Sequence, residues 1–550
     1  MGRLRATLTT ADTFSIATGA MFSSGFFLLP GIAASMTGTS VVLAYFVAAV
    51  LMVPAMLCQA ELSTAMPRSG GTYFFIDRAL GPLLGSVAGF STWFALVLKT
   101  AFALVGLGAY IVAFTSLPPL AVALGGGVVF TLLNLKGADH SAAAQRWLVA
   151  ALLVTLLAFL AAGGAAWFGV GAALPADSTL QSTSFLTDGM GGFAATVGLV
   201  AVSYAGLTKV ASVAEEVAEP DRALPWGMLG ALLTTTLVYV LGVGIVLAAV
   251  PATQLFGDTA PLATAAATVF PGRLQAVGVG VVSIAAIASF VSTANAGVLA
   301  AARYPFAMAR DSLLPERFGI ATNGTPRAAV LLTGALILGC VFLDVASMAK
   351  LASAVQMVLF LLLAVSVIVM RESGIVSYTP GFRSPFYPWV QLMCIAASIG
   401  LIFAMGLQAL AFAATVFVAS ALVYVLHARH RIERRGALPH LFARLGEQRC
   451  PEIDRELGTL LVERAERRVC YRQEHVARVR VQPGGPLSDI LDHPHGYLAL
   501  PEEIEVVTVD RQGERFDPFA VKPRADDEVT LVGAPEALSR IVPANLRLAL

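Results

Sequence analysis

Long apolar runs alternate with short polar connections along the first 430 residues. Runs of about 20 apolar residues are long enough to cross a bilayer as helices. Twelve are predicted, at roughly 12–36, 40–65, 84–114, 118–135, 146–170, 190–214, 226–250, 274–303, 326–344, 347–370, 387–405 and 407–427. The pattern changes near Tyr424–Arg435, where apolar sequence meets RHRIERR. Beyond it, PEIDRELGTLLVERAERR (451–468) reads as an amphipathic helix, with Leu457, Leu460, Leu461 and Ala465 on one face. VARVRV (476–481), EVVTVD (505–510) and EVTLVG (528–533) read as short strands.

Two of the apolar runs are interrupted. GAMFSSGFFLLPG (19–31) places Gly19, Ser23, Ser24 and Gly25, then Pro30 and Gly31, where a spanning helix should be continuous. Glycine costs about 1 kcal/mol relative to alanine in a helix interior. Broken backbone at membrane depth is tolerated only where protein buries it or a cavity meets it. The second interruption, SYAGLTKVASVAEEV (203–217), falls in the sixth run. Breaks in helices one and six occupy corresponding positions of two five-helix halves. That pattern fits an inverted repeat and points to a binding site. Amides after Ser23, Ser24 and Gly25 can donate to a carboxylate. Carbonyls near Tyr204, Ala205 and Gly206 can accept from an ammonium group. The pair suits an amino-acid zwitterion.

Composition agrees with the pattern. The chain is 57% hydrophobic and 13% charged, with mean hydropathy +0.77, whereas soluble proteins carry about 25% charged residues. Residues 431–550 hold just over half of the charges. The net charge of +1 argues neither for nor against nucleic acid, and no such partner is expected. Arginines such as Arg78, Arg146, Arg222, Arg310 and Arg371 crowd one set of loops, while Arg273 and Lys350 are nearly alone on the other. This positive-inside bias predicts both termini in the cytoplasm of a multi-pass protein of the cell membrane. The start, MGRLRATLTTADTF, is too polar for a signal peptide. Five cysteines (Cys58, Cys340, Cys394, Cys450 and Cys470) form no CxxC, so disulfide and zinc are not expected. No nucleophile–base pair, metal cluster or phosphate loop is apparent, and no enzyme is expected.

GAMFSSGFFLLPG, AELSTAMPRSGGTYFFIDRALGP (60–82), SYAGLTKVASVAEEVAEPDRALP (203–225) and STANAGVLAAARYPFAMARDSLLP (292–315) together resemble the amino acid–polyamine–organocation transporters, specifically bacterial amino-acid permeases. The resemblance covers residues 10–430. It implies an all-α polytopic membrane protein of 12 transmembrane helices. Ten would form a five-plus-five inverted repeat with helices 1 and 6 broken. It also implies alternating access and an amino-acid substrate. Two departures stand out. Ser23 replaces the first glycine of the family's usual Gly-Ser-Gly, and Thr208 stands where relatives often place an acidic residue.

The coupling ion is expected to be sodium or a proton, with no other cofactor. Ser289, Ser292 and Thr293 share a face of helix eight at i, i+3 and i+4. In the wider superfamily this face, with carbonyls such as those of Gly19 and Phe22, supplies oxygens to sodium. Helix five carries no lysine that would replace the ion. Lys99 is an intramembrane charge, and such residues are functional by default. It could bind a substrate carboxylate or carry a proton. Lys209, Glu215, Glu216 and Glu61 are read as an inner-gate or structural network, with Lys209 paired to Glu215 or Glu216. Phe26, Trp93, Tyr204 and Phe290 are candidate pocket aromatics.

The domains are predicted as a permease at 1–430, a linker with the amphipathic helix at 431–474, and a small cytoplasmic α+β domain at 475–550. This last segment resembles the C-terminal regulatory (RCK) domain of potassium-channel and transporter regulators. The resemblance implies a homodimerising domain that binds a small regulatory ligand, such as a cyclic dinucleotide. Two other readings stay open: a transporter of the same fold for a cation or polyamine, and a nutrient sensor with little transport.

Overall fold

In the computed structural model, the described residues are 7–67, 71–112, 114–136, 142–170, 172, 174–321, 325–373, 378–429, 431–432, 436–438, 441, 469–470, 475–480, 504–511, 514–516 and 527–533. The chain divides into two compact units. One is Met1–Arg371 with Pro380–Leu438, and the other is Glu372–Thr379 with Pro439–Leu550.

All twelve apolar runs of the first unit are helical. Among the described residues, eight helical stretches are long and apolar enough to cross a membrane. Pro119–Leu135, Arg327–Cys340 and Trp389–Ala404 are shorter apolar helices. The chain is therefore a mostly helical polytopic membrane protein. Its surface supports this physically. Leu233, Ile284, Phe403 and Leu407 are exposed on helices, as a lipid-facing wall requires. Four of the five tryptophans (Trp147, Trp167, Trp226 and Trp389) are exposed near helix ends, where an indole can sit at the headgroup level.

The first run is three pieces. Thr10–Met21 ends before Phe22 and Ser23, Ser24–Phe27 follows, and Leu29–Thr37 resumes after Leu28. Gly19 lies inside the first piece, so the break falls at the serines. A capping box opens it: the Thr9 hydroxyl accepts from the Asp12 amide, and the Asp12 carboxylate accepts from the Thr9 amide at 2.9 Å. The sixth run is also discontinuous. Gly189–Val200 tightens into a 3₁₀ turn at Ala201–Tyr204, and Leu207–Ala211 restarts after Gly206.

In the second unit the described strands form one five-stranded antiparallel sheet. They are β1 (Val469–Cys470), β2 (His475–Arg480), β3 (Ile504–Arg511), β4 (Glu514–Phe516) and β5 (Glu528–Gly533), in the order β1-β2-β5-β3-β4. Strands β2, β3 and β5 fall where the three apolar segments were read. Val509, Val529 and Leu531 are buried. Arg511 clamps Asp527, with Nε donating to Oδ1 at 2.9 Å and to Oδ2 at 3.2 Å, and Nη2 donating to Oδ2 at 2.7 Å. The amphipathic segment 451–468 lies outside the described residues.

Candidate substrate and ion site

The two breaks meet. A β-carbon added at Gly206 would lie 2.8 Å from the Ala17 carbonyl oxygen and 2.8 Å from the Met21 amide nitrogen. One added at Gly25 would collide with the Ser203 side chain and lie 2.7 Å from its α-carbon. Glycine at these two positions lets one broken helix touch the backbone of the other.

Carbonyls around the first break are capped by side chains from distant helices. Lys99 Nζ donates to Ala20 O at 2.8 Å. Tyr239 donates to Met21 O at 2.6 Å, and Ser289 donates to Phe22 O. Tyr45 donates to Gly25 O at 2.7 Å, and Tyr110 to Phe27 O at 2.8 Å. Buried carbonyls need such partners, because an unpaired polar group in an apolar interior is costly. At the second break the expected free carbonyls are partly taken. Ala205 O accepts from Thr208 Oγ1 at 2.8 Å, and Gly206 O from the Lys209 amide at 3.2 Å. Gln59 Nε2 caps Leu207 O at 2.7 Å. Among the described residues, the buried hydroxyls of Ser23 and Ser203 have no hydrogen-bond partner.

A small cavity of about 30 Å³ opens between the breaks. Lys99, Ala205 and Gly206 line it, together with Ala20, Thr208 and Thr293. Lys209 lines it too. This corrects its pairing: among the described residues Lys209 makes no ion pair with Glu215 or Glu216. The expected aromatic pocket is not formed either. Phe26 stacks on Tyr239 with ring centres 5.2 Å apart, and Phe290 packs on Phe27 and Tyr110. Tyr204 donates to Tyr45 O at 3.0 Å, and Trp93 to Thr333 Oγ1 at 3.1 Å. These rings are buried, and none of them lines the cavity.

The proposed sodium ligands are divided. Ser289 reaches Phe22 O, while Ser292 Oγ lies 3.4 Å from Gln145 Oε1. The Gln145 amide also packs against Gly19. Thr293 is on the cavity instead. Serine, glutamine and carbonyl oxygens are hard donors, so this neighbourhood fits a small cation. Gln145 was missed because it lies at the start of helix five, 147 residues from Ser292. A larger cavity of about 220 Å³ lies between helices Ala142–Trp167 and Leu274–Arg310. Its wall is aliphatic apart from Thr155 and Ser289, so it offers little to a zwitterion.

Glu61 is fully buried in a different place. Arg371 grips it through Nε and Nη2, both at 2.6 Å, and Ser384 donates its amide at 2.9 Å and its hydroxyl at 2.6 Å. It ties helix Val41–Ala65 to helix Val345–Glu372. Glu216 contributes its backbone: its carbonyl accepts from the Thr7 and Leu8 amides at 2.9 and 2.8 Å. Glu215 lies in the same short 3₁₀ turn. Near the start of helix one, Arg146 pairs with the buried Asp12 at 3.1 Å.

Comparison with known proteins agrees with this architecture. The family model described as amino acid permease matches residues 12–432. The methylthioribose transporter of Bacillus subtilis (strain 168) is 26% identical over 454 residues, covering 78% of this chain and 94% of its own. The branched-chain amino acid permease BcaP of the same organism is 27% identical over 425 residues, covering 72% and 87%. An uncharacterized transporter of Mycobacterium tuberculosis, Rv1999c, is 32% identical over 358 residues, covering 64% and 76%.

Proposed function

The chain belongs to the amino acid permease family, a family of transporters rather than enzymes, and we propose that it is a secondary active amino-acid transporter working by alternating access. The observation that carries this reading is the meeting of two interrupted helices on one cavity lined by Lys99. The buried hydroxyls of Ser23 and Ser203, unpaired among the described residues, support it, since a zwitterion can supply such partners.

Twelve crossings, a five-plus-five repeat and cytoplasmic termini belong to this proposal. The twelve helical runs and the loop arginines favour them. Transport is coupled to an ion. Sodium at Phe22, Ser289, Ser292 and Gln145, with Gly19 alongside, is the version favoured by the donor chemistry. It would take the place of the Ser289–Phe22 hydrogen bond. The alternative is a proton carried by Lys99. Two lysines on the cavity oppose a cation or polyamine substrate. The sheet-bearing tail is proposed as a regulatory domain that pairs two copies and binds a small ligand.

Uptake of labelled amino acids into proteoliposomes under imposed ion gradients tests the reading. Concentrative uptake of at least one supports it. Binding without uptake would turn it into a sensor.

A further inference from the structure

Lys99 and Lys209 approach one cavity from two different elements. Lys99 belongs to helix Pro82–Ile111, and Lys209 to helix Leu207–Ala211, just beyond the second break. The rest of the wall is backbone, threonine and small or apolar side chains, and no Asp or Glu lines it. An ammonium carries three donors. Lys99 uses one on Ala20 O. The Lys209 ammonium makes no hydrogen bond or ion pair among the described residues, although the Lys209 backbone bonds to Gly206 O and Ser212. Both line the same small cavity, so the two charges repel each other. Thr100 and Thr208 donate back to Leu96 O and Ala205 O, so the lysines, with Thr293, are left to supply donors to a guest.

Buried charges at membrane depth are normally paired or hydrated. Here two like charges face one space, and no acidic side chain lines it among the described residues. In this conformation the cavity, about 30 Å³, has room for one small group rather than for a whole amino acid. We propose that Lys99 and Lys209 form an anion site, sized for a halide ion or a single carboxylate group. An anion between them cancels the repulsion and ties the second half of the broken helix to helix Pro82–Ile111. For a carboxylate supplied by substrate the inference rests on the transporter reading; for a free halide it does not.

The test is thermal melting of the full-length protein in lipid nanodiscs, at fixed pH and ionic strength. Sodium isethionate is replaced stepwise by sodium chloride or sodium acetate. The expected result is a saturable rise in melting temperature with at least one of them. Chloride alone identifies a halide site; acetate, alone or with chloride, identifies one that accepts carboxylate. Lys99→Met and Lys209→Gln should each raise the half-saturating concentration at least tenfold. Lys209→Glu, which sets a carboxylate opposite Lys99, should fold and melt independently of the anion. The proposal is overturned if neither anion shifts the wild-type melting temperature, or if the shift survives both lysine substitutions. Amino-acid uptake decides the transporter reading separately.

Discussion

The Lys99 ammonium donates to the Ala20 carbonyl at 2.8 Å, one residue before the end of helix Thr10–Met21. A cation fixed at the end of that helix faces its negative dipole end, which is a favourable position. The bond also ties helix Pro82–Ile111 to the first break, at Phe22 and Ser23. Lys99→Met should cut amino-acid uptake at least tenfold while leaving the protein folded. Uptake and melting of the purified variant check this.

Gly206→Ala tests the contact between the breaks. Its methyl would press on Ala17 O and the Met21 amide, neither of which is a flexible side-chain end. The two broken helices must separate to admit it. Overpacking of this kind costs about 1–3 kcal/mol. Uptake should fall more than tenfold, with a lowered melting temperature. Wild-type uptake in this variant would show that the contact is dispensable.

The Glu61–Arg371 pair should matter for stability more than for substrate affinity. Removing one partner of a buried pair costs about 3–5 kcal/mol, because the other charge is left buried. Arg371→Met should therefore lower the melting temperature strongly. In whatever protein survives, the half-saturating substrate concentration should stay within about twofold. A large affinity change would return Glu61 to the gate first expected of it.

Sodium dependence distinguishes the two coupling ions. Replacing sodium with choline should abolish concentrative uptake, and Ser289→Ala with Ser292→Ala should raise the sodium needed for half-maximal rate about tenfold. Uptake indifferent to choline but driven by an imposed proton gradient would move coupling to Lys99.

Removing 439–550 should leave basal transport and abolish regulation. The cut belongs after Leu438, because the Ala437 amide bonds to Arg78 O and Ala79 O at 2.9 and 3.0 Å. Loss of membrane insertion in the truncated protein would instead make the tail a folding element.

The parts legible in the sequence are those written locally. Serine and glycine clusters marked both breaks to within a few residues, and twelve apolar runs marked twelve helical segments. The sodium face was legible only in part, since i, i+3 spacing aligned Ser289 with Ser292 but could not bring Gln145 to them. Tyr45, Tyr110 and Tyr239 carry no local signal, because their hydroxyls cap carbonyls 20, 83 and 218 residues away. Lys209 was assigned to nearby acids for the same reason: chain proximity suggested Glu215 and Glu216, whereas packing turned it to the cavity. Glu61 and Arg371 are 310 residues apart, and no local pattern joins them.

The central claim is that two broken helices meeting at Gly206 form one amino-acid transport site. Its most direct test is counterflow in proteoliposomes: liposomes holding the purified protein are preloaded with a panel of unlabelled amino acids and given the same compounds labelled outside. The account predicts transient accumulation of one or more labelled amino acids, lost in Gly206→Ala and Lys99→Met. Accumulation no greater than in protein-free liposomes, for every amino acid tested, would contradict it.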